Sequence, residues 1–390
     1  MLRIGLRIAI VGLGNRAMGM LKTLMEVNPK IALAGLVDPD PKSVRERLAE
    51  RKIDANNVLV MDSVESIIKK RDKFDAVMIG TRCHLHTPMA VKLAEADLPL
   101  FLEKPVAITT EQLEALATAY AGKEDRVVVS FPLRVTPLFT ETLAIVRSGR
   151  LGTINQIQAF NDVHYGDVYY RNWYRNFKET GGLWLQKATH DVDCINQLAN
   201  CKPTTVAAMI SRQVYDDPKA VSFLETAYPE PSKAPDVPVR HQDAGNAIFM
   251  YENGLHAAYT QNFVTRGLGR RGAFISGHLG TLMFDWHTHS IVVHDNFKKR
   301  VDRIEVKASQ DEGHLGGDHV LATNFSNLIQ GKEASKSNLH DGLLSAAMCL
   351  AARESANTHT FQPIVVPGQT PPTPGPHARE ILAQDTPKSS

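Results

Sequence analysis

The chain has 390 residues, of which 43% are hydrophobic and 22% charged, with a formal net charge of +2. That length holds two domains with separate cores, and the composition is ordinary for a folded globular protein. The near-balanced charge supplies no basic face for nucleic acid or an anionic membrane, so neither is expected as a partner.

The first element is an apolar strand, Ile8 to Val11, which breaks into glycines and continues as a helix. Gly12 permits a tight turn and Gly14 lets the backbone approach a pyrophosphate. Ala17 fills the third place of the G-x-G-x-x-G/A pattern, where a small residue lets the helix pack on the strand. A helix start offers unpaired N–H groups and the positive end of its dipole, so a dinucleotide phosphate is the natural ligand. Asn15 and Arg16 lie in that first turn and are expected to contact it. The next strand ends in Asp38, twenty-four residues after Gly14, where a carboxylate accepts hydrogen bonds from the adenosine ribose. An acid there repels a 2′-phosphate and Pro39 follows it, so NAD is favoured over NADP as cofactor.

Short apolar strands alternate with helical stretches up to residue 132, which predicts a doubly wound parallel (Rossmann) α/β sheet over 1–132. Strands are expected at Ile8–Val11, Leu33–Val37, Val58–Met61, Ala76–Ile79, Leu100–Leu102 and Val127–Phe131. Helices are expected at Ala17–Val27, Pro41–Glu50, Ser63–Lys70, Thr87–Glu95 and Thr110–Ala121, the last capped by Thr110. From 133 to 366 the pattern changes to an α+β domain. A helix at Leu138–Ser148 precedes strands at Thr153–Phe160, Thr204–Ser211, Ala247–Tyr251, Leu255–Phe263, Gly272–Ser276, Thr281–Phe284 and Ile291–His294. Period-2 alternation in these strands predicts a mainly antiparallel sheet with one wet face. Further helices are expected at Lys187–Leu198, Leu321–Leu328 and Gly342–Asn357. Residues 215–241 read as an insertion loop, and the proline-rich tail 367–390 as extended or disordered. The N-terminal residues run straight into the first strand, so no signal peptide is expected, and no stretch reaches the length of a membrane span. Four scattered cysteines without a Cys-x-x-Cys read as reduced thiols, and the expected location is the cytoplasm.

Several groups carry chemistry. Glu103-Lys104-Pro105 closes the fifth strand, at the end of a parallel sheet that faces the nucleotide crevice. Pro105 biases Lys104 towards an extended backbone, which aims its ammonium at a substrate hydroxyl beside the nicotinamide. His84 and His86 would face one way if extended. As a metal pair they would need further ligands that the sequence does not place, so no metal is expected and His86 is read as a contact to nucleotide or substrate. In Gly181-Gly-Leu-Trp-Leu-Gln-Lys187-Ala-Thr-His190-Asp191-Val-Asp193, helical spacing puts Lys187, His190 and Asp193 on one face. An imidazole flanked by an ammonium and a carboxylate is a candidate acid/base, and the glycine pair allows close backbone approach. Tyr165, Tyr169, Tyr170, Trp173 and Tyr174, mixed with Asp167, Arg171, Asn172 and Arg175, suit a sugar, whose C–H faces stack and whose hydroxyls need fixed partners. The same composition suits an interface loop. His241-Gln-Asp243, His287, His289 and His314-Leu-Gly-Gly-Asp318 are polar groups whose target is not legible.

Together these pieces resemble the glucose–fructose oxidoreductase / inositol dehydrogenase (Gfo/Idh/MocA) family over residues 7–366. The Gly12-Leu-Gly14 turn with Asp38 looks like its nucleotide site. Thr81…His86 followed by Glu103-Lys104-Pro105 is similar to its cofactor-side motif. Leu133-Arg134-Val-Thr-Pro137 resembles the start of its second domain, and Gly181-Gly182…His190…Asp193 its catalytic helix. The resemblance implies an NAD(P) fold plus an open-faced antiparallel sheet that covers the nicotinamide and often oligomerises, here as a dimer or tetramer. It also implies that Lys104 and His190 flank the reacting carbinol, and that Thr81, His86 and Glu103 serve the cofactor. Arg134, Tyr165, Tyr170, Trp173, Lys187 and Asp191 are the expected substrate contacts. Many members carry aspartate four residues before the histidine, where this chain has Gln186, an amide unable to act as base, with Lys187 as the neighbouring charge.

The expected activity is NAD-dependent hydride transfer between nicotinamide and a secondary alcohol of a sugar, sugar derivative or cyclic polyol. His190 would remove the hydroxyl proton with help from Lys187, Asp193 would orient His190, and Lys104 would stabilise the developing negative charge. The alternative is an NAD-recycling glycoside hydrolase or lyase that oxidises, eliminates and re-reduces. A third reading, a nucleotide-sensing regulatory protein without turnover, has Gln186 as its only support.

Overall fold

The computed structural model describes residues 5–166, 168–220, 240–307 and 313–370. Asp167, the side chain of Arg171, most of the expected insertion and most of the expected tail lie outside the described residues. The chain divides into two compact units, Met1–Pro137 with Ala308–Ala346, and Leu138–Lys307 with Ala347–Ser390.

The first unit is built on a six-stranded parallel sheet in the order β3-β2-β1-β4-β5-β6. Its strands are β1 (Leu6–Val11), β2 (Ile31–Val37), β3 (Leu59–Met61), β4 (Ala76–Ile79), β5 (Leu100–Leu102) and β6 (Val127–Val129). Every residue of β4, β5 and β6 is buried, as expected of parallel strands covered on both faces. Strand order reverses between β1 and β4, so the turns after these two strands flank the crevice where doubly wound sheets take their ligands.

Three local expectations shift for physical reasons. Strand β6 stops before Phe131 because Pro132, which has no N–H to donate, opens a 3₁₀ turn over Pro132–Val135. The fourth helix starts at Cys83 rather than Thr87 and runs to Leu93, with Pro88 inside it. Pro88 cannot donate to the His84 carbonyl, and the Gln112 side chain donates there instead at 2.9 Å. His84 and His86 are therefore helical, and residues two apart on a helix do not face one way. The fifth helix (Thr110–Ala119) is capped by Thr109, whose hydroxyl accepts from Gln112 N–H at 3.2 Å, not by Thr110.

The segment Ala308–Ala346 groups with the first unit, although the sequence pattern places it in a second domain over 133–366. The helix Gly317–Ile329 places Leu321, Ala322 and Phe325 in the same core as Ile8, Leu21 and Phe101. Phe325 meets Phe101 edge-to-face at 5.5 Å. Amphipathic spacing shows that this helix buries a face, but not in which core.

The second unit carries a nine-stranded sheet in the order β14-β13-β12-β11-β7-β10-β9-β8-β15. Its strands are β7 (Ile154–Asp162), β8 (Pro203–Ser211), β9 (Ala244–Tyr251), β10 (His256–Asn262), β11 (Arg270–Gly277), β12 (Gly280–Asp285), β13 (Ser290–Asp295), β14 (Val301–Glu305) and β15 (Gln362–Pro363). Neighbours are antiparallel except β7 and β10, which are parallel. The alternation is visible in β10, where Ala257, Tyr259 and Gln261 are buried and the residues between them are not. On the opposite face Met283, Phe274, Gln158, Ala258 and Ile248 lie in register across five strands, with Met283, Phe274 and Ile248 exposed. Among the described residues no helix is long and apolar enough to cross a membrane.

Candidate active site

In the first unit the glycine turn is held by its neighbours. Gly12 has φ +75°, and a Cβ there would lie 2.6 Å from Thr81 Cγ2 and 2.8 Å from Thr81 Cα, so only glycine fits. Gly14 differs: a Cβ would meet nothing closer than the Gly80 carbonyl at 3.9 Å, which leaves the space beside it open. Helix α1 (Asn15–Val27) starts immediately after, with no side-chain cap and no acid in its first turn, a good anion site. Ala17 packs on Gly80, where a Cβ would come within 2.4 Å of the alanine methyl. Asp38 is half-buried at the end of β2. Its Oδ2 accepts from Leu13 N–H at 2.8 Å and its Oδ1 from Asp40 N–H at 2.9 Å, which fixes the carboxylate beside the turn.

Arg16 does not reach outward from this helix start. Its guanidinium is clamped by both oxygens of Asp318 at 2.6 and 2.7 Å, by Glu103 at 3.1 Å and by the Ser130 hydroxyl at 3.1 Å. Burial alone would lower its pKa, but the Glu103 and Asp318 charges outweigh that and raise it. Burial would likewise raise Asp318, yet hydrogen bonds from His314 and Arg16 hold its carboxyl well below the usual range. The clamp thus ties the first turn of α1, the Glu103-Lys104 loop and the helix Gly317–Ile329 together. The expected direct contact of Arg16 with the cofactor is corrected to this bracing role, because Nε, Nη1 and Nη2 each donate within the clamp.

Lys104 follows β5 and is half-buried between the buried Glu103 and Pro105, with a cis peptide to Pro105. The loop is fastened from below. His86 Nδ1 lies 2.8 Å from the Pro105 carbonyl and its Nε2 3.1 Å from the Thr81 carbonyl, while the Thr87 hydroxyl donates to the Val106 carbonyl at 2.7 Å. Burial lowers the His86 pKa. With both ring nitrogens on backbone carbonyls, His86 positions the loops around it and is not the nucleotide or substrate contact expected. Arg134 is also internal: it pairs with Asp341 at 2.7 Å within the same unit, so its assignment as a substrate contact is corrected too.

In the second unit, Trp184–Ala188 form a π-helical turn that leads into the α-helix Thr189–Ala199. Such turns recur at functional sites. The expected α-helix from Lys187 begins two residues late for the same reason, and Lys187 and His190 are not joined by uniform α-helical spacing. Gly181 and Gly182 before it have φ +74° and +93°, and a Cβ on Gly182 would meet the Phe177 ring at 2.8 Å. The polar face is not solvated: Gln186, Lys187, His190, Asp191 and Asp193 are all buried. Lys187 donates to the Tyr165 hydroxyl and sits 4.6 Å from that ring's centre. Burial lowers its pKa, against the opposing pull of Tyr165 and Asp191.

Asp191 is the hub beneath them. Its Oδ2 accepts from Asn161 Nδ2 at 2.9 Å and the Tyr259 hydroxyl at 2.8 Å, and its Oδ1 accepts from Arg271 Nε at 2.7 Å. Gln261, Asn161 and Arg271 stand opposite one another across β10, β7 and β11. This polar row on the helix-covered side of the sheet was not foreseen. Asn161, Tyr259 and Arg271 are scattered through sequence as single polar residues in strands, and period-2 alternation was the one available signal. Tyr170 is buried, stacked on Tyr215, and donates to the Gln242 carbonyl at 2.6 Å, so it packs the unit and does not offer the sugar contact expected. Trp173 stacks on Tyr174 with ring centres 4.0 Å apart, and Tyr165 remains 45% exposed.

Residues 6–131 match the oxidoreductase family with an NAD-binding Rossmann fold, and residues 139–283 match the GFO/IDH/MocA C-terminal domain. The chain belongs to the Gfo/Idh/MocA family. Its relatives include 1-carboxy-3-chloro-3,4-dihydroxycyclohexa-1,5-diene dehydrogenase of Comamonas testosteroni, 28% identical over 65% of this chain and 57% of that protein. Inositol 2-dehydrogenase of Rhizobium meliloti strain 1021 is 23% identical over 55% of this chain and 60% of that protein. The matches thus span less than two thirds of either relative's length. Levoglucosan dehydrogenase in complex with NADH and levoglucosan shares the fold, with a TM-score of 0.77 over 92% of this chain and 99% of that one at 18% identity. The first domain of this Gfo/Idh/MocA protein binds NAD, and the open space at Gly14, the uncapped start of α1 and the fixed carboxylate of Asp38 fit that cofactor.

Proposed function

We propose that this chain is an NAD-dependent dehydrogenase acting on a secondary alcohol of a sugar, sugar derivative or cyclic polyol. The observation that carries the reading is the buried assembly of His190, Lys187, Asp191 and Arg271 in a chain whose other unit is an NAD-binding domain. A relative named for inositol and a structural neighbour named for levoglucosan support the substrate class.

Gly12, Gly14, Asn15, Thr81 and Asp38 would hold the cofactor, with Asp38 taking the adenosine ribose and disfavouring a 2′-phosphate. NAD, when bound, supplies the hydride acceptor. His190 takes the hydroxyl proton and Asp193, one helical turn on, orients it, with the Lys187 charge close by. Lys104 hydrogen-bonds the substrate oxygen and stabilises the negative charge that develops there. Glu103 holds the Lys104 loop through Arg16.

The test is one assay plate of purified protein with NAD, free sugars, polyols and glycosides, reading both reduced nicotinamide and product. Net NADH on a free sugar or polyol supports the dehydrogenase. Glycoside cleavage without net NADH refutes it in favour of a recycled cofactor. Lys104→Met should lower turnover by about 100-fold or more, the scale of one lost transition-state donor, while NAD affinity changes little. Unchanged turnover removes Lys104 from the mechanism.

A further inference from the structure

We infer that the Lys187–Arg271 cluster of the second unit is a carboxylate subsite, and that the alcohol oxidised is carried by a sugar acid and not by a neutral sugar. This rests on the dehydrogenase reading for the substrate's use, but not for its binding.

The argument starts from what each group can accept or donate. Lys187 is 5% exposed, and among the described residues its ammonium has one hydrogen-bond partner, the Tyr165 hydroxyl. Arg271, whose side chain is 12% exposed, pairs with Asp191 through Nε, while its Nη2 is buried with no partner among the described residues. Two cations therefore stand in the same cluster with donors still unfilled. The nearby carboxylates are already engaged. Asp191 takes three hydrogen bonds on its two oxygens, from Asn161, Tyr259 and Arg271. Asp285 accepts from the backbone N–H groups of Arg271 at 3.4 Å and His287 at 2.7 Å. Other titratable groups facing the cluster are Tyr169, whose ring lies 6.4 Å from that of Tyr165, and His164 and His287, whose rings lie 5.3 Å apart, His164 also standing edge-on to Tyr165 at 5.0 Å. None of these supplies the missing acceptor.

Ammonium and guanidinium groups only donate. A sugar hydroxyl can accept from either cation, but it brings no charge to compensate them. A carboxylate only accepts, carries the compensating charge, and has two oxygens for two donors, and charge-assisted bonds of this kind are the strong ones. Burial makes the match matter, because an ammonium or guanidinium out of water is costly unless it is paired. Tyr165, at 45% exposure, is the solvent-facing member, and its hydroxyl occupies the acceptor position on Lys187 that a ligand oxygen would take.

The experiment is calorimetric titration of the full-length protein with D-glucuronate and D-galacturonate, each against its neutral methyl ester, with glucose 6-phosphate as a second anion. The acids should bind at least about tenfold tighter than their esters, the scale of one charge-assisted pair. That gap should collapse in Lys187→Gln and shrink in Arg271→Lys, which keeps the charge towards Asp191 but loses the second arm. Melting curves show that each variant is folded, and if one is not, the other decides. Equal binding of acid and ester, no binding of either, tighter binding of the sugar phosphate, or an acid–ester gap unchanged in the variants would each overturn the subsite. Adding NAD separates the two readings. NADH from neutral sugars as readily as from acids sinks the subsite and keeps the dehydrogenase. Cluster-dependent acid binding with no NADH keeps the subsite and sinks the dehydrogenase.

Discussion

Asp318→Asn isolates the clamp that ties the nucleotide turn to the rest of its unit. Asp318 is 7% exposed at its side chain and takes two hydrogen bonds from Arg16 and one from His314. Removing one partner of a buried ion pair costs about 3–5 kcal/mol. Arg16 keeps Glu103 and Ser130 and is 33% exposed at its side chain, so water screens part of the loss and about 2–3 kcal/mol is the better figure. At roughly 2–4 °C per kcal/mol for a unit of this size, the melting temperature at pH 7 should fall by about 5–10 °C. The pH dependence gives a second check. The folded carboxyl is held below its ordinary value, so its stabilisation is fully present above the unfolded pKa of about 4. It is lost as pH falls towards the folded value. Asparagine has no such dependence, so the gap between wild type and variant should be largest at neutral pH and narrow from pH 5 to pH 3. Melting curves across that range settle it. A variant within about 1 °C of wild type at pH 7, or a gap that does not narrow in acid, refutes the clamp as a source of stability.

The remaining predictions concern the other groups. Asp191→Asn should destabilise by about 3–5 kcal/mol because it strands the Arg271 charge, whereas Tyr259→Phe removes one neutral donor and should cost about 1 kcal/mol. Denaturation midpoints that rank the other way remove Asp191 as the hub. Replacing Asp38 by Ser together with Pro39→Arg should move the ratio of NADPH to NADH affinity upwards by about tenfold or more, read from nicotinamide fluorescence. An unmoved ratio takes Asp38 out of the ribose site. On the exposed sheet face, light scattering should find a dimer or tetramer for the wild type and a monomer for Phe274→Glu, since a charge there opposes burial of the apolar row. A monomeric wild type would show that this face stays wet.

Much of the first unit was legible because its signals are local. An apolar run, a glycine at positive φ and an acid at the end of the next strand each report on their own few residues, and Gly12, Gly14 and Asp38 stand where that grammar puts them. The strand positions of the second unit were legible through their alternation, apart from β14, whose Val-Asp-Arg-Ile-Glu is too polar to announce itself, and β15, whose two residues are too few to show a period. The candidate site was legible in its members more than in their roles. Lys187, His190, Asp191 and Asp193 stand out in the sequence as candidates, yet their spacing suggests a regular helix, and the π turn that points Lys187 at Tyr165 has no sequence signature of its own.

By itself, then, the sequence determined which segments are strand, turn or helix and which residue types gather near the nucleotide turn and the helix that carries His190. Those features follow from backbone sterics and periodic burial, which act over a few residues. Tertiary structure alone decided which polar groups meet. Arg16 finds Asp318 at a separation of 302 positions, Asp191 finds Arg271 at 80, and a charge pattern carries no memory of distance along the chain. A buried cation must have an acceptor, but only the fold says whether a neighbouring strand supplies it or a ligand must.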